Sequence, residues 1–215
     1  MSPTFWRLVT TEPLAGAFVL DVGTGRGRVA LALAALAGRV VGVDRDAEAI
    51  AEAAQRARAA GLANVEFVAA DAEKIEFTDL VPGTRPGLVT AHLYFSDALV
   101  ERAARALAPG GALAAVAFHA DQWQETGRRS RFAYDEAPLR ALLATHGFTV
   151  EHLEIEREVQ RFASVEEALA AAIGLEERWR TDGRWFNYLK FLEEGGRTLT
   201  RSHLIVKARR VVSRG

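Results

Sequence analysis

Two hydrophobic rhythms alternate along the 215 residues of this chain. Short, nearly continuous apolar runs occupy residues 17–22 (AFVLDV), 39–44 (RVVGVD), 65–70 (VEFVAA), 88–93 (LVTAHL) and 112–118. Runs of this length bounded by turn residues predict strands buried on both faces. Ala-rich stretches with apolar residues three and four apart lie at 26–37, 46–60 and 97–108 and predict helices. Asp46 is placed to cap the second of these and Gly61 to end it, while Pro109-Gly110-Gly111 stops the third. Alternation of strand and helix through residue 118, with right-handed crossovers, predicts an α/β fold with a doubly wound, mostly parallel sheet.

The second half is less regular. A helix is expected at 135–146, ended by Gly147, then a strand at 149–159. Ser164 and Glu167 form a capping-box pattern at the start of 164–173. Residues 176–194 carry Trp179, Trp185, Phe186, Tyr188 and Phe191, and a last strand falls within 198–212, around 203–208. An aromatic group at such spacing reads first as core and second as a cofactor box.

Charge adds little direction: 27 basic against 28 acidic side chains leave a net of −1. A nucleic-acid coat or a polybasic membrane anchor is not suggested. The chain has no cysteine, which excludes disulfides, thiolate metal sites and a cysteine nucleophile. No signal peptide is read at the N-terminus, and the most apolar stretch, 29–37, is far short of the ~20 residues of a membrane span. The expected setting is a bacterial cytoplasm, with no membrane partner.

Candidate chemistry sits at the ends of the predicted strands. Val19-Leu20-Asp21-Val22-Gly23-Thr24-Gly25-Arg26-Gly27 is a strand feeding a glycine turn that opens a helix. Glycines allow a sharp turn and close approach of a ligand to the backbone. The spacing is Gly-x-Gly-x-Gly with Arg28 following, which departs from the dinucleotide fingerprint, and no P-loop is present. Asp44 ends the second strand, where a carboxylate can hold ribose hydroxyls. Asp71 ends the third, where it can accept from an exocyclic amine. Each also has a plainer reading: a tight turn for the glycines, a helix-start carboxylate for Asp44, and a cap for Asp71.

These segments together, VLDVGTGRG, VVGVDRD, FVAADAEKIEF and LAPGG (Leu107–Gly111), resemble the successive motifs of class I S-adenosylmethionine-dependent methyltransferases over about residues 17–120. The resemblance implies a Rossmann-like, seven-stranded sheet with the last strand antiparallel, a single domain over 1–215, and a helical insertion at about 160–197 serving as a lid. It implies that Asp21, Gly23, Thr24 and Gly25 line the methionine moiety and that Asp44 binds the ribose. Arg45 would flank the adenine, Asp71 and Ala72 would contact it, and Ala91 and His92 would lie beside the sulfonium. The stretch from Phe132 to Leu139 resembles the small-molecule and tellurite-type members. Gly87 stands where many members carry Asp, and the stretch Ala91-His92-Leu93-Tyr94-Phe95-Ser96 lacks the Asn/Asp-Pro-Pro-Tyr/Phe signature of base amino methylation. Without cysteine the covalent route to C5-methylpyrimidines is closed.

The expected function is methyl transfer from S-adenosylmethionine to a small molecule, leaving S-adenosylhomocysteine, with no metal. His92 and His119, both at strand ends, are candidate general bases, each with a structural histidine as the plainer alternative. Tyr94 and Asp97 are weighed the same way, Asp97 also as a helix cap. Arg128, Arg129 and Arg131, and the basic run Arg197, Arg201, Lys207, Arg209, Arg210 and Arg214, carry the alternative of an RNA or protein acceptor. A non-catalytic S-adenosylmethionine-binding protein is the third reading.

Overall fold

The computed structural model describes residues 1–211. Val212 and Arg214, expected in the last strand and the basic run, lie outside the described residues. The strands are β1 (Phe18–Val22), β2 (Arg39–Asp44), β3 (Val65–Ala69), β4 (Leu88–His92), β5 (Ala112–His119), β6 (Ala133–Tyr134), β7 (Phe148–Arg161) and β8 (Thr198–Arg210). The helices are α1 (Pro3–Thr10), α2 (Arg28–Ala34), α3 (Ala47–Ala59), α4 (Phe77–Leu80), α5 (Asp97–Ala106), α6 (Glu136–Thr145), α7 (Val165–Ala172), α8 (Glu176–Arg180) and α9 (Arg184–Glu193).

The sheet order is β3-β2-β1-β4-β5-β8-β7, and β6 pairs with β5 beside this path. Strands β1 to β5 pair in parallel, with Val22 opposite both Val43 and Ala91. The N–H of Arg210 bonds the Gly111 carbonyl and that of Val211 bonds the Gly147 carbonyl. The end of β8 therefore lies beside the starts of β5 and β7, and β8 runs antiparallel to both. This is the expected Rossmann-like topology with one correction: the sheet has 8 strands among the described residues, not seven. The addition is β6, where Ala133 and Tyr134 pair with Phe118 and His119. Two residues are too short for any periodicity to announce.

Contacts divide the chain into two compact units, with the divisions inside β5, β7 and β8 and between β6 and α6. The first unit holds Met1–Ala117, Glu136–Glu154 and the chain from Ile205 on. All five residues of β1 are buried, as a central strand covered on both faces requires. Helix α1, which the sequence reading left unassigned, starts where Ser2 Oγ accepts the Phe5 N–H at 3.1 Å and has Pro in its first turn. It buries Phe5, Leu8 and Val9, each contributing roughly 1.5–3 kcal/mol. A charged cluster ties the segment after it to β8. Glu12 pairs with Lys207 and Arg209, Arg209 also pairs with Glu151, and Lys207 donates to Thr11 Oγ1 at 3.0 Å. Burial works against the Glu12 carboxylate, but bonds from Arg209 and Lys207 win and hold its pKa below the usual range.

The second unit holds Phe118–Asp135 and Ile155–Leu204. Its core is aromatic: Trp123 meets Trp179 edge-on at 5.3 Å, and Trp179 meets Tyr188 edge-on at 5.6 Å. Trp185 and Leu192 are buried in the same cluster, whereas Phe186 is 58% exposed. The capping box forms, with Ser164 Oγ accepting from the Glu167 N–H at 3.2 Å. Its reciprocal arm differs from the usual pattern: Glu167 accepts from the Ala163 N–H. Among the described residues no helix is long and apolar enough to cross a membrane.

Candidate cofactor site

The glycine turn is built by three strands of the first unit. The N–H groups of Gly23 and Thr24 both donate to the Val43 carbonyl, at 2.8 and 3.0 Å, which folds the turn back over the end of β2. Gly23, Gly25 and Gly27 all have positive φ, a region that side chains with a Cβ enter at a cost. Their surroundings differ. A Cβ on Gly23 would lie 2.5 Å from the Tyr94 Cβ, and one on Gly27 would lie 2.8 Å from the Phe67 ring. A Cβ on Gly25 would meet nothing within 4 Å. Gly23 and Gly27 serve packing, and Gly25 keeps a bare backbone facing open space.

Asp21 lies beneath the turn and is 1% exposed. Its oxygens accept from Thr24 Oγ1 at 2.6 Å and Thr90 Oγ1 at 2.7 Å. Burial pushes its pKa up to about 6, against the opposing pull of those two hydroxyls. Asp21 thus braces the turn from below, and Thr24 is the residue it holds. Asp44 is half-buried at the end of β2. Its carboxylate accepts the Gly25 N–H at 2.8 Å and the Asp46 N–H at 3.0 Å. One side chain therefore links the turn to the start of α3, while each oxygen keeps a lone pair for a further donor. Helix α3 is capped by Asp46, as expected, through the Glu48 and Ala49 N–H groups.

Asp71 follows β3 and accepts the Glu73 N–H at 3.0 Å, with Lys74 at 3.4 Å. The backbone bond from Glu73, then Lys74 and Arg45, hold its pKa below the ordinary range. Ala72 is buried beside it, and Arg45 is exposed. Asp71 caps no helix: it closes a turn, and α4 begins only at Phe77, behind Glu76. At the end of β4, Ala91 is buried opposite Val22, and His92 Nδ1 lies 3.2 Å from Arg28 Nη2. Asp97 does not cap α5; the preceding Ser96 does, through the Leu99 N–H.

A family model described as a methyltransferase domain matches residues 14–196. The chain belongs to that methyltransferase family. Over 79 residues it is 43% identical to human tRNA (uracil-5-)-methyltransferase homolog A, and over 77 residues 43% identical to demethylmenaquinone methyltransferase of Clavibacter sepedonicus. These stretches are 37% and 34% of this chain, and they span only 12% and 31% of those proteins. Magnesium protoporphyrin IX methyltransferase of Synechocystis PCC 6803, solved with bound S-adenosylhomocysteine, shares the fold with a TM-score of 0.61 at 18% identity. That match covers 96% of this chain and 80% of the other.

The S-adenosylhomocysteine in the Synechocystis enzyme is what S-adenosylmethionine leaves on giving up its methyl. The turn fits such a molecule: a bare Gly25 offers close approach, and Asp44 beside it offers acceptors for hydroxyls. Tyr94 is a candidate in the sequence, but its contacts and the backbone before it are not legible there. Tyr94 lies over Gly23, and its hydroxyl donates to Glu73 Oε1 at 2.7 Å, joining the chain after β4 to the chain after β3. Burial, then the Glu73 carboxylate, push the Tyr94 pKa up. Leu93, just before it, has φ 63, a strained backbone for a residue with a Cβ. Only the general rule that strain gathers at functional sites could have pointed there.

His119 belongs to the second unit. Its Nδ1 lies 2.9 Å from Ser202 Oγ and 3.3 Å from the Asp121 N–H, which donates to it. The same unit has a shallow cavity of about 260 Å³ lined by Glu156, Arg157, Glu158, Arg201 and His203. Burial pulls the His203 pKa down. None of the residues expected to hold the donor lines this cavity.

Proposed function

We propose that this methyltransferase acts on a small-molecule acceptor. What supports the reading is that most of its candidate RNA-binding cations are already engaged, exposed Arg131 and Arg201 being the exceptions among the described residues. Lys207 and Arg209 are consumed by Glu12 and Glu151, and Arg210 donates to the Leu107 carbonyl. Arg197 donates to the carbonyls of Leu192 and Gly196. Arg128 bonds the Asp182 carbonyl and Arg129 pairs with Asp135. Phosphate recognition by RNA-binding surfaces needs such cations turned outward and unpaired. The relative named for tRNA uracil does not transfer its chemistry either, since this chain has no cysteine to add to a pyrimidine.

S-adenosylmethionine supplies a methyl already activated by a positive sulfur, so the acceptor's lone pair displaces it directly and the carbon–sulfur electron pair stays on sulfur. The protein's share is alignment and exclusion of water, and alignment of this kind is worth roughly 7–11 kcal/mol. In the present arrangement the guanidinium of Arg28 donates to His92 Nδ1, and the Asp121 N–H donates to His119 Nδ1. Both are hydrogen-bonded rings at strand ends, and in this proposal one of them orients the acceptor molecule.

The test is to supply methyl-labelled S-adenosylmethionine together with the low-molecular-weight fraction, the RNA or the protein of a bacterial extract. Label is expected in the small-molecule fraction only. Transfer into RNA or protein that weakens steeply with salt would replace this reading with the macromolecular one.

A further inference from the structure

We propose that Arg28 is the anchor for the carboxylate at the amino-acid end of S-adenosylmethionine, a role that rests on the donor assignment above. Arg28 is the first residue of α2, directly after the glycine turn. Its Nη2 lies 3.2 Å from Nδ1 of His92, the last residue of β4. Ala91, just before His92, is opposite Val22, the last residue of β1 before the turn. The guanidinium is thus held where β1 and β4 end side by side.

The contrast with its neighbours carries the argument. Arg26 pairs with Glu52 at 2.8 Å, and Arg39 pairs with Glu66 at 2.9 Å. Arg28 makes no ion pair among the described residues, and its guanidinium bonds a ring nitrogen of His92 and no carboxylate. The nearby acids are committed elsewhere. Asp21 is buried with Thr24 and Thr90 on its oxygens, and Asp44 is bonded to the Gly25 and Asp46 N–H groups. A guanidinium has several N–H donors in a planar fork that matches a carboxylate, and one bond to His92 leaves most of that fork unused. His92 is itself fixed by the Phe5 ring, edge-on at 5.3 Å and 71°. Helix α1 therefore acts on the anchor through Phe5 and His92. His92 is a positioning residue in this scheme, and Arg28 touches the ligand.

Two probes separate the carboxylate from the rest of the molecule. S-adenosylhomocysteine carries the amino-acid tail; 5′-deoxy-5′-methylthioadenosine has the same nucleoside thioether without it. Calorimetric titration of both is made with the whole protein and with Arg28→Gln and Arg28→Lys. Arg28→Gln is expected to weaken S-adenosylhomocysteine about 10- to 100-fold, the size of a charge-assisted bond, and to leave methylthioadenosine unchanged within about twofold. Arg28→Lys keeps the charge without the fork and should fall between wild type and Arg28→Gln. His92→Ala should cost S-adenosylhomocysteine less than Arg28→Gln does. Equal weakening of both probes would make Arg28 a brace of the turn, and no weakening of either would leave it without a role; both results overturn the proposal. Should Arg28→Gln fail to fold, Arg28→Lys decides alone, by selective loss on the ligand with the tail. A wild-type protein that binds neither probe would instead refute the donor assignment.

Discussion

The two compact units fill their cores differently. In the first, aliphatic side chains such as Val19, Leu33, Val40 and Ile205 pack against a parallel ladder, and buried polar groups are met by side chains, as Asp21 by Thr24 and Thr90, as well as by backbone, as Asp44 by the Gly25 N–H. In the second, long side chains reach back to backbone carbonyls. Buried Arg184 donates to the Arg128 and Arg129 carbonyls, Asn187 to that of Thr126, and Tyr188 to that of Thr198. A ladder repeats, so one substitution leaves most of it standing. A unit held by individual reaches around an aromatic cluster has no such redundancy, and its stability is concentrated in a few residues.

The largest expected effect follows from that difference. Trp179 is wholly buried between Trp123 and Tyr188. Trp179→Ala should cost about 3–5 kcal/mol. Hydrogen exchange should show protection lost through Phe118–Asp135 and Ile155–Leu204 and retained in β1, β2 and β4. Uniform loss through both units would erase the contrast. Trp179→Phe should cost far less, because the indole N–H has no partner to lose.

Next is the charged cluster of the first unit. Glu12→Gln leaves buried Lys207 and half-buried Arg209 with only the Glu151 carboxylate to pair with, and should cost about 3 kcal/mol in denaturant unfolding. The Glu12 carboxylate has a depressed pKa, so its contribution is present above the unfolded value near 4.5 and fades as pH falls through the lower folded value. Acid titration of stability should therefore be shallower in the variant.

Asp21 has the opposite sign. Its folded pKa of about 6 lies above the value of 3.8 expected when exposed, so the folded protein binds the proton more tightly. Its contribution is full below about pH 4 and is lost as pH rises through 6, by up to about 3 kcal/mol. Stability of wild type relative to Asp21→Asn should thus fall between pH 4.5 and 7. A rise over that interval would mean the carboxylate is stabilised in its ionised form.

The smallest effect on stability is expected at Gly25. Gly25→Ala meets only the cost of positive φ, about 1 kcal/mol, because its Cβ would face open space. Its affinity for S-adenosylhomocysteine should nevertheless drop more than tenfold by calorimetry. Gly23→Ala, which meets Tyr94, should lose more stability. If the two variants behaved alike, Gly25 would be a packing glycine as well.

The strands of the first unit and the capping of α3 by Asp46 were legible because their periods and end signals are local. The placement of Asp44 at the turn was legible too, since a parallel strand order puts strand ends together. Helix α1 was missed although Ser2 and Pro3 mark its start, because eight residues at a chain end give periodicity little room. The second unit was harder to read: Trp179, Trp185 and Tyr188 fit a core or a binding surface equally well until their mutual contacts are known.

By itself, then, the sequence determined the alternation of strand and helix, the glycine turn, the carboxylates at strand ends and the methyltransferase family. These depend on neighbours a few residues apart or on motifs in fixed order. Only the tertiary structure decided that Asp21 braces the turn and does not face outward, that Tyr94 reaches Glu73, that Arg28 meets His92, and that Lys207 and Arg209 of the basic run pair with Glu12 and Glu151. Each of those pairs residues from different strands or loops, and a side chain's charge partner, unlike its helical or strand period, has no signature in the order of the chain.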